Sequence, residues 1–420
     1  MAEVSVLDVL LHDRRIGTLT QIGHDRNLFA FTQAYIDDPD RPTLSLSFKD
    51  EFGNLITDTP VRQTRLPPFF SNLLPEGPMR DYLAGRAGVK PQREFFLLWV
   101  LGRDLPGAVS VRPAEGQSWP DREEGVEGKA PGREQALRFS LAGVQLKFSA
   151  VMGATGGLTI PSQGVGGAWI VKLPSATFDR VPENEFAMMS LAHEIGMDIP
   201  EIALYPVEQI GNLPEGMERL GGQALAVRRF DRSADGTAIH VEDFAQVFNV
   251  YPDDKYGKAS YRNIAQVIWA EIGEPGITEF IRRLVFSTLI GNADMHLKNW
   301  SLIYPDGRTP ALAPGYDFVS TIPYIADGTM ALKYARTKRM AELGVDELQY
   351  LAARAGLPKK PVLDAARETV QAFLDIWPAR RADLPLSTET AFTIDKHVRS
   401  IALVRELGVT AEKSPLLSDS

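Results

Sequence analysis

Residues 286–320 of the chain read FSTLIGNADMHLKNWSLIYPDGRTPALAPGYDFVS. An apolar run ends at Gly291, a short polar segment follows, and a second apolar run comes next. This order predicts a helix, a polar loop and a strand. The loop contains Asp294 and Asn299, and Asp317 follows a turn-rich hairpin. We expect these two carboxylates and this amide to converge on one site.

Phosphoryl transfer uses such a set of side chains. One carboxylate orients the attacking hydroxyl and accepts its proton, while an amide and a second carboxylate supply hard oxygen ligands to Mg²⁺. The spacing from Asp294 to Asn299 and the later Asp317-Phe318 pair match the catalytic-loop and metal-binding elements of protein kinases in part. No His-Arg pair precedes Asp294, and Val319 stands where those kinases have Gly. Asp and Asn are also common turn formers, so this stretch alone leaves both interpretations open.

The composition indicates a globular protein. A chain of 420 residues with 44% hydrophobic residues is sufficient for two or three domains. No apolar run reaches the length of a bilayer span, and the N-terminus has neither the basic region nor the cleavage site of a signal peptide. With no Cys, disulfides, thiolate nucleophiles and zinc-thiolate sites are excluded. We expect a cytoplasmic protein without a membrane partner.

The net charge and the absence of two catalytic motifs argue against several classes of function. A net charge of −9 argues against broad coating of nucleic acid. Local basic clusters at 336–339, 359–360, 380–381 and 396–399 could still contact phosphates, although such clusters are usually solvated surface. No His-Glu-x-x-His or Gly-x-Ser-x-Gly motif occurs, so metalloprotease and serine hydrolase hypotheses lack support.

Residues 1–112 predict a small α/β subdomain. Four short alternating segments separated by polar turns predict antiparallel strands, at 4–7, 15–19, 28–32 and 44–48, and a helix is expected at 78–87. We find no catalytic constellation in this part of the chain, which favours a scaffold or an interaction domain. Residues 113–135 are rich in Gly, Pro and charge and are interpreted as a linker.

Residues 136–230 predict a strand-rich lobe. Two Gly-bearing loops lead to Lys172, which stands in an apolar strand and would be costly to bury without a partner. The helix predicted at 181–196 carries Glu183 and Glu185 in its first turns. Either acid could pair with the lysine, and first-turn acids also complement a helix dipole. We choose Glu185 because it shares a face with apolar residues of the helix.

A strand at 224–230 would then end at a hinge to a second lobe. Arg228, Arg229 and Phe230 would supply backbone groups to an adenine ring, although an edge strand with a turn explains the pattern equally well. Residues 231–410 predict an α-helical lobe, because helical periodicity runs over 242–272, 277–289, 341–355, 361–376 and 389–407. The last residues, 411–420, are expected to form a flexible tail.

Several ordered motifs resemble the HipA serine/threonine kinases, the toxins of bacterial type II toxin–antitoxin pairs. They are NLLPEG at 72–77, GRDLPGAV at 102–109, SLAGVQLKF at 140–148, IVKLP at 170–174, ENE at 183–185, LAVRRFDR at 225–232, ED at 242–243, LIGNADMHLKN at 289–299 and YDF at 316–318. The resemblance implies an α+β, protein-kinase-like two-lobed fold with a β-rich N-lobe, an α-helical C-lobe and an N-terminal α/β subdomain. Only about the last sixty residues match it vaguely.

The resemblance also implies roles for individual residues. Asp294 would be the catalytic base, Asn299 and Asp317 the Mg²⁺ ligands, and Lys172 the residue that grips the ATP phosphates. Residues 142–147 would form the family's mobile phosphate-binding loop, with contacts from Ala142, Gly143, Val144, Gln145, Leu146 and Lys147. Further nucleotide contacts are implied for Glu185, Arg228, Arg229, Phe230, His296, Leu297, Lys298, Asn299, Tyr316, Asp317, Phe318 and Val319. Arg228 and Leu146 depart from the family pattern, in which acids can occur at both positions.

Ser140 falls where the family carries its autophosphorylated serine. A phosphate there would add nearly two negative charges beside the loop that receives ATP, so an ejected loop and an inactive enzyme would follow. The resemblance further implies a HipB-like helix-turn-helix antitoxin, operator DNA bound through that antitoxin, and a protein substrate such as an aminoacyl-tRNA synthetase.

Two other functions remain open. A kinase-like protein could act mainly as a corepressor in an antitoxin–DNA complex, but a scaffold need not keep Asp294, Asn299, Asp317 and Lys172 together. A small-molecule phosphotransferase would use the same spacing of Asp and Asn, but the NLLPEG motif and Ser140 argue against it.

Overall fold

Three antiparallel sheets and twelve α-helices make up the described part of the chain. The structure is a computed structural model and describes residues 5–23, 25–117, 146–153, 157–161, 166–213 and 216–407. Ser140 and four residues of the expected phosphate-binding loop, Ala142, Gly143, Val144 and Gln145, lie outside these ranges. Across the described ranges, none of the helices has both the length and the apolar character that a membrane span needs.

The N-terminal subdomain is one sheet covered by helices. Its elements are β1 (Ser5–Leu11), β2 (Arg14–Ile22), β3 (Arg26–Phe31), α1 (Gln33–Ile36), β4 (Arg62–Gln63), α2 (Pro68–Ser71), α3 (Gly77–Ala87), α4 (Glu94–Leu101) and β5 (Val109–Pro113). The strand order is β4-β3-β2-β1-β5. Alternating residues of the long strands face a core of Leu, Val and Phe side chains, as period-two patterning requires.

One strand predicted in this subdomain is wrong. Residues 44–48 contain a short 3₁₀ helix, Leu46–Phe48, instead of a strand. The hydroxyl of Ser45 accepts from the Ser47 N–H and caps this turn, while the Leu46 N–H donates to the carboxylate of Glu242 at 3.0 Å. These side-chain acceptors take the N–H groups that a neighbouring strand would otherwise use.

The N-lobe is a five-stranded sheet with one long helix. It contains β6 (Lys147–Met152), β7 (Leu158–Thr159), β8 (Trp169–Lys172), α5 (Val181–Glu194), β9 (Ile202–Pro206) and β10 (Gln223–Arg228), with the strand order β7-β6-β8-β10-β9. Lys147 of β6 lies directly opposite Lys172 of β8. Opposed residues of an antiparallel pair share a face of the sheet, so both ammonium groups emerge on the same side.

The C-lobe joins a small sheet to a large helical core. Its elements are β11 (His240–Asp243), α6 (Phe244–Val247), α7 (Tyr261–Glu271), α8 (Glu274–Leu289), β12 (Ser301–Tyr304), β13 (Ala311–Leu312), α9 (Val345–Ala355), α10 (Lys359–Arg380), α11 (Thr388–Ser400) and α12 (Ala402–Glu406). The helical periodicity expected from residue 242 is wrong at its start, because Glu242 and Asp243 pair with β12. Asp243 then caps α6 in a capping box with Gln246.

Gly291 determines how the chain leaves α8. Its φ is +68°, and a Cβ at this position would lie 2.5 Å from the side chain of Ile322. Any other residue would therefore be strained and would clash, since only Gly adopts positive φ at little cost. The turn at Gly291 directs the following loop toward Asp317, which itself has a left-handed φ of +55°. Such conformations in a non-Gly residue concentrate at functional sites.

Candidate active site

Lys172 lies where the N-lobe meets the C-lobe. Its buried ammonium contacts the carboxylates of Glu185 and Asp317, and Lys147 Nζ is 3.5 Å from the second oxygen of Asp317. Burial opposes a charge on Lys172, but the Asp317 and Glu185 carboxylates outweigh it and raise the pKa of the ammonium. Burial would likewise raise the pKa of Asp317, but Lys147 and Lys172 hold it well below its usual value. Glu183 instead lies 3.6 Å from Arg180.

The loop that follows α8 is closed by its own amides. Asn292 donates to the Asp317 carbonyl at 3.2 Å and accepts from the Asp294 N–H at 3.1 Å. Asn299 donates from Nδ2 to the Asp294 carbonyl at 2.8 Å. This bond turns the Asn299 side-chain oxygen away from the loop backbone and leaves it available as an oxygen ligand. The structure thus brings Asp294, Asn299, Asp317 and Lys172 into one neighbourhood.

The Asp294 carboxylate is open to solvent but has one protein partner. Tyr256 donates its hydroxyl to Asp294 Oδ1 at 2.8 Å. The surrounding protein raises the pKa of Asp294 by desolvation, while the Tyr256 hydrogen bond and the charge of Lys255 act in the opposite direction. Neither Tyr256 nor Lys255 was predicted, because no motif marks them and they approach Asp294 only through folding.

The remaining loop residues differ in what their side chains can reach. His296 is buried, its Nδ1 has no hydrogen-bond partner among the described residues, and burial lowers its pKa to about 3, so the ring is neutral. Leu297 and Phe318 are fully buried in the C-lobe core, where Phe318 packs on Phe286. Any contact that these two residues make to a nucleotide must therefore use the backbone. Val319 is half-buried.

Lys298 contacts the N-terminal subdomain. Its Nζ lies 2.9 Å from Glu76 Oε1 and donates to the Asn72 carbonyl at 3.0 Å. The other oxygen of Glu76 accepts from Lys255 at 2.8 Å. Burial would raise the pKa of Glu76, but Lys298 and Lys255 lower it to about 2. Glu76 belongs to the NLLPEG motif, whose chemical role the sequence alone did not indicate.

The two arginines of the expected hinge have structural side-chain contacts. Arg228 pairs with Glu201 at 3.1 Å on the surface. Arg229 is buried and binds Asp231 through two hydrogen bonds of 2.9 Å and Asp104 through another of 2.9 Å. Asp104 lies in the GRDLPGAV motif, so an ion-pair cluster joins the N-terminal subdomain to the hinge.

Phe230 and Tyr316 form an aromatic wall beside the hinge. Their ring centroids are 5.6 Å apart, and the Tyr316 hydroxyl bonds with Ser301 and with the Lys298 carbonyl at 2.6 and 2.9 Å. The N–H groups of Arg228 and Arg229 are used within the protein, whereas that of Phe230 bonds to no group in the described ranges. Phe230 is therefore the hinge residue with a free backbone donor.

Leu146, the first described residue of the expected phosphate-binding loop, is buried in the N-lobe core. Its carbonyl accepts from the Leu173 N–H at 2.9 Å, which anchors the loop end beside the Lys172 strand.

Comparison with known proteins shows the family of the chain. Two family models match the chain: the HipA N-terminal domain over residues 7–112 and the HipA-like C-terminal domain over residues 139–377. The chain belongs to the HipA family. Two relatives from Sinorhizobium fredii, Y4dM and Y4mE, have names that mark them as inferred kinases. Y4dM is 58% identical, and the match covers 97% of this chain and 99% of Y4dM. Y4mE is 33% identical, and the match covers 84% of this chain and 86% of Y4mE.

More distant HipA proteins are also similar. The serine/threonine-protein kinase toxin HipA of Shewanella oneidensis is 25% identical over 77% of each chain. The solved complex of Shewanella oneidensis HipA with HipB and its operator DNA contains a chain that matches with a TM-score of 0.70, at 20% identity and over 96% of both chains. This likeness establishes the two-lobed α+β fold with the N-terminal HipA subdomain. The general class of the protein is that of a HipA-like kinase.

Proposed function

We propose that this HipA-family protein is an ATP- and Mg²⁺-dependent serine/threonine protein kinase with Asp294 as its catalytic base. The observation that carries this proposal is the double ion pair of Lys172 with Glu185 and Asp317. These ion pairs join three parts of the chain: β8, α5 and the segment after β13 that carries Asp317. A strand lysine held by a helix acid is the element that positions nucleotide phosphates in protein kinases.

The donors near Lys172 fit a magnesium ion. Asn299 and Asp317 offer an amide oxygen and a carboxylate, which are the hard ligands that Mg²⁺ prefers. In the described ranges no cluster of three or more His, Cys, Asp and Glu side chains could hold a metal, which favours a site completed by substrate phosphates. When bound, the ion would offset the negative charge of those phosphates. Lys147 and Lys172, which now contact Asp317, would face the same phosphates.

Asp294 would act on a protein hydroxyl. Its carboxylate is solvent-exposed, so a serine or threonine on another chain can reach it. It would orient the hydroxyl and accept its proton as the oxygen bonds to phosphorus. Phe230 and Tyr316 would cover the adenine, and the Phe230 N–H would donate to its edge.

The biological role proposed is that of a growth-inhibiting toxin. The substrate would be a translation protein such as an aminoacyl-tRNA synthetase, and autophosphorylation at Ser140 would inactivate the kinase. A HipB-like antitoxin would bind the chain and link it to operator DNA. Family membership supports these proposals, and the Shewanella oneidensis HipA chain that matches over nearly the full length was solved with HipB and DNA.

The test is a phosphotransfer assay on the full chain. Purified protein is incubated with Mg²⁺ and radiolabelled ATP beside Asp294→Asn, Ser140→Ala and the control Asp306→Asn, a substitution in an exposed turn. We expect label on Ser140 in the wild type and in Asp306→Asn but none in Asp294→Asn. No label in any variant, from a preparation shown by mass spectrometry to carry no phosphate beforehand, would contradict the proposal and favour the corepressor function.

A further inference from the structure

The hydroxyl of Tyr256 occupies a hydrogen-bond position that phosphoryl transfer needs. It lies 2.8 Å from Asp294 Oδ1 and donates to it. A hydroxyl that is to be phosphorylated must make this same contact, because the base orients it and then accepts its proton. Tyr256 is 43% exposed and Asp294 is exposed as well, so another chain can reach this hydrogen bond.

Tyr256 is held at Asp294 by two contacts to its ring. The ring packs edge-on against His296 with centroids 5.0 Å apart, and the Lys255 ammonium lies 5.5 Å from its centroid. Lys255 is in turn paired with Glu76 at 2.8 Å, and its carbonyl accepts from the Leu297 N–H at 3.4 Å. The loop and the N-terminal subdomain therefore both fix the tyrosine.

A second set of contacts ties the preceding residues to the same subdomain. Arg65 forms an ion pair with Asp253 and stacks over the Tyr251 ring at 4.9 Å. Asn72 donates to the Val250 carbonyl at 2.8 Å. Residues 250–256 thus form a short segment, here called the tyrosine segment, which the N-terminal subdomain holds against the active site.

We propose that Tyr256 determines acceptor specificity: its hydroxyl occupies the acceptor position on Asp294 in the resting enzyme and denies that position to water until a protein hydroxyl displaces it. The inference rests on the proposed role of Asp294 as the base. In this proposal the tyrosine segment suppresses ATP hydrolysis and still allows a protein hydroxyl to be phosphorylated.

The reaction that Tyr256 suppresses is the attack of water on ATP. A water oxygen would form a bond to the γ-phosphorus, the bond from that phosphorus to the β-phosphate oxygen would break, and the proton lost by the water would pass through Asp294 to solvent. The products are ADP and inorganic phosphate. With the phenol bound to Oδ1, a water molecule must compete with the Tyr256 hydroxyl for the Asp294 carboxylate before it can be oriented for attack.

The experiment measures phosphate release and self-labelling of the full chain in Mg²⁺ and ATP. Tyr256→Phe removes the hydroxyl and keeps the ring on His296. Tyr350→Phe is the matched control, since Tyr350 is 39% exposed and its ring also faces a cation, the Arg336 guanidinium, at 4.4 Å from the ring centroid. A Tyr256→Phe, Asp294→Asn double variant tests whether any new hydrolysis uses the base.

We expect Tyr256→Phe to release phosphate about tenfold faster than wild type, the equivalent of one charge-assisted hydrogen bond. Tyr350→Phe should equal wild type, and the double variant should show no hydrolysis. Binding of a fluorescent ATP analogue should stay within about twofold in all single variants, because nucleotide contacts lie on the Lys172 side. Equal melting temperatures would show that the fold is intact.

Three results would overturn the proposal. One is phosphate release in Tyr256→Phe that is unchanged or lower. Another is faster release in Tyr256→Ala alone, which would assign the effect to the ring and not the hydroxyl. The third is phosphate on Tyr256 itself, which would make it an acceptor. Failure of the proposed kinase function is distinct, because then no variant shows Asp294-dependent labelling or hydrolysis.

Discussion

Glu76 of the N-terminal subdomain forms an ion pair with Lys298 of the C-lobe, with 2.9 Å between Oε1 and Nζ. Lys298 directly precedes Asn299, and the same carboxylate holds Lys255, which directly precedes Tyr256. One acid from outside the two lobes therefore positions the chain on both sides of Asp294. The N-terminal subdomain thus helps to build the candidate active site, although it supplies no residue of the expected catalytic set.

Neutralising Glu76 tests this dependence. Glu76→Gln keeps the shape of the side chain but removes the charge that two lysines share, so we expect the phosphotransfer rate to fall several-fold. Stability should fall by only about 1 kcal/mol, since the carboxylate is one-third exposed and solvent screens it. Initial rates of self-labelling and urea unfolding measure the two effects. Glu51→Gln, at an exposed position of the same subdomain, is the control, and a rate within twofold of wild type would contradict the expectation.

The cluster at the hinge should behave as a coupled unit. Asp104 and Arg229 have buried side chains, and Arg232 also pairs with Asp104 and Asp231. Removing the Asp104 carboxylate therefore leaves two arginines with one acid, Asp231. Asp104→Asn should cost about 3 kcal/mol of unfolding free energy. In a double-mutant cycle with Arg229→Met, we expect a coupling energy of about 1–3 kcal/mol. Urea unfolding measures all four proteins. Strictly additive losses of unfolding free energy would disprove the coupling. The control is Asp364→Asn in an exposed ion pair, which should change the unfolding free energy by less than about 0.5 kcal/mol.

A buried carboxyl between the N-terminal subdomain and the C-lobe should make stability depend on pH. Glu242 accepts hydrogen bonds from Ser45, Leu46 and Tyr304, but burial dominates and raises its pKa to about 7. The unfolded carboxyl titrates near pH ~4.3. Between these values the folded chain binds more protons than the unfolded chain, so this carboxyl lowers stability as pH rises through the window.

Glu242→Gln lacks this titration. Its unfolding free energy relative to wild type should therefore rise from pH 5 to pH 8, as measured by urea unfolding at four pH values. Asp243, whose pKa burial also raises, is present in both proteins and cancels in the comparison. A difference that stays constant across this range would show that Glu242 is already ionised in the folded protein at pH 5.

Much of the fold was predictable because its signals are local. The apolar strand that carries Lys172 and the helix that begins at Val181 both appear where period and turn residues indicated. Prediction was wrong where a distant partner competes with a local pattern. Leu46 bonds to Glu242 instead of extending a strand, and Glu242 itself lies in β11 because β12 pairs with it.

The local pattern of the sequence by itself determined the family, the order of the lobes and the candidate set of Asp294, Asn299, Asp317 and Lys172. Periodicity, turn chemistry and motif spacing act over a few residues and are therefore visible in one chain. Only the tertiary structure decided which side chains meet across the subdomains. Asn72 and Lys298 are separated by 226 positions, and their contact depends on the packing of whole subdomains, which no local pattern encodes. Tyr256 at Asp294 and Arg229 at Asp104 became apparent for the same reason.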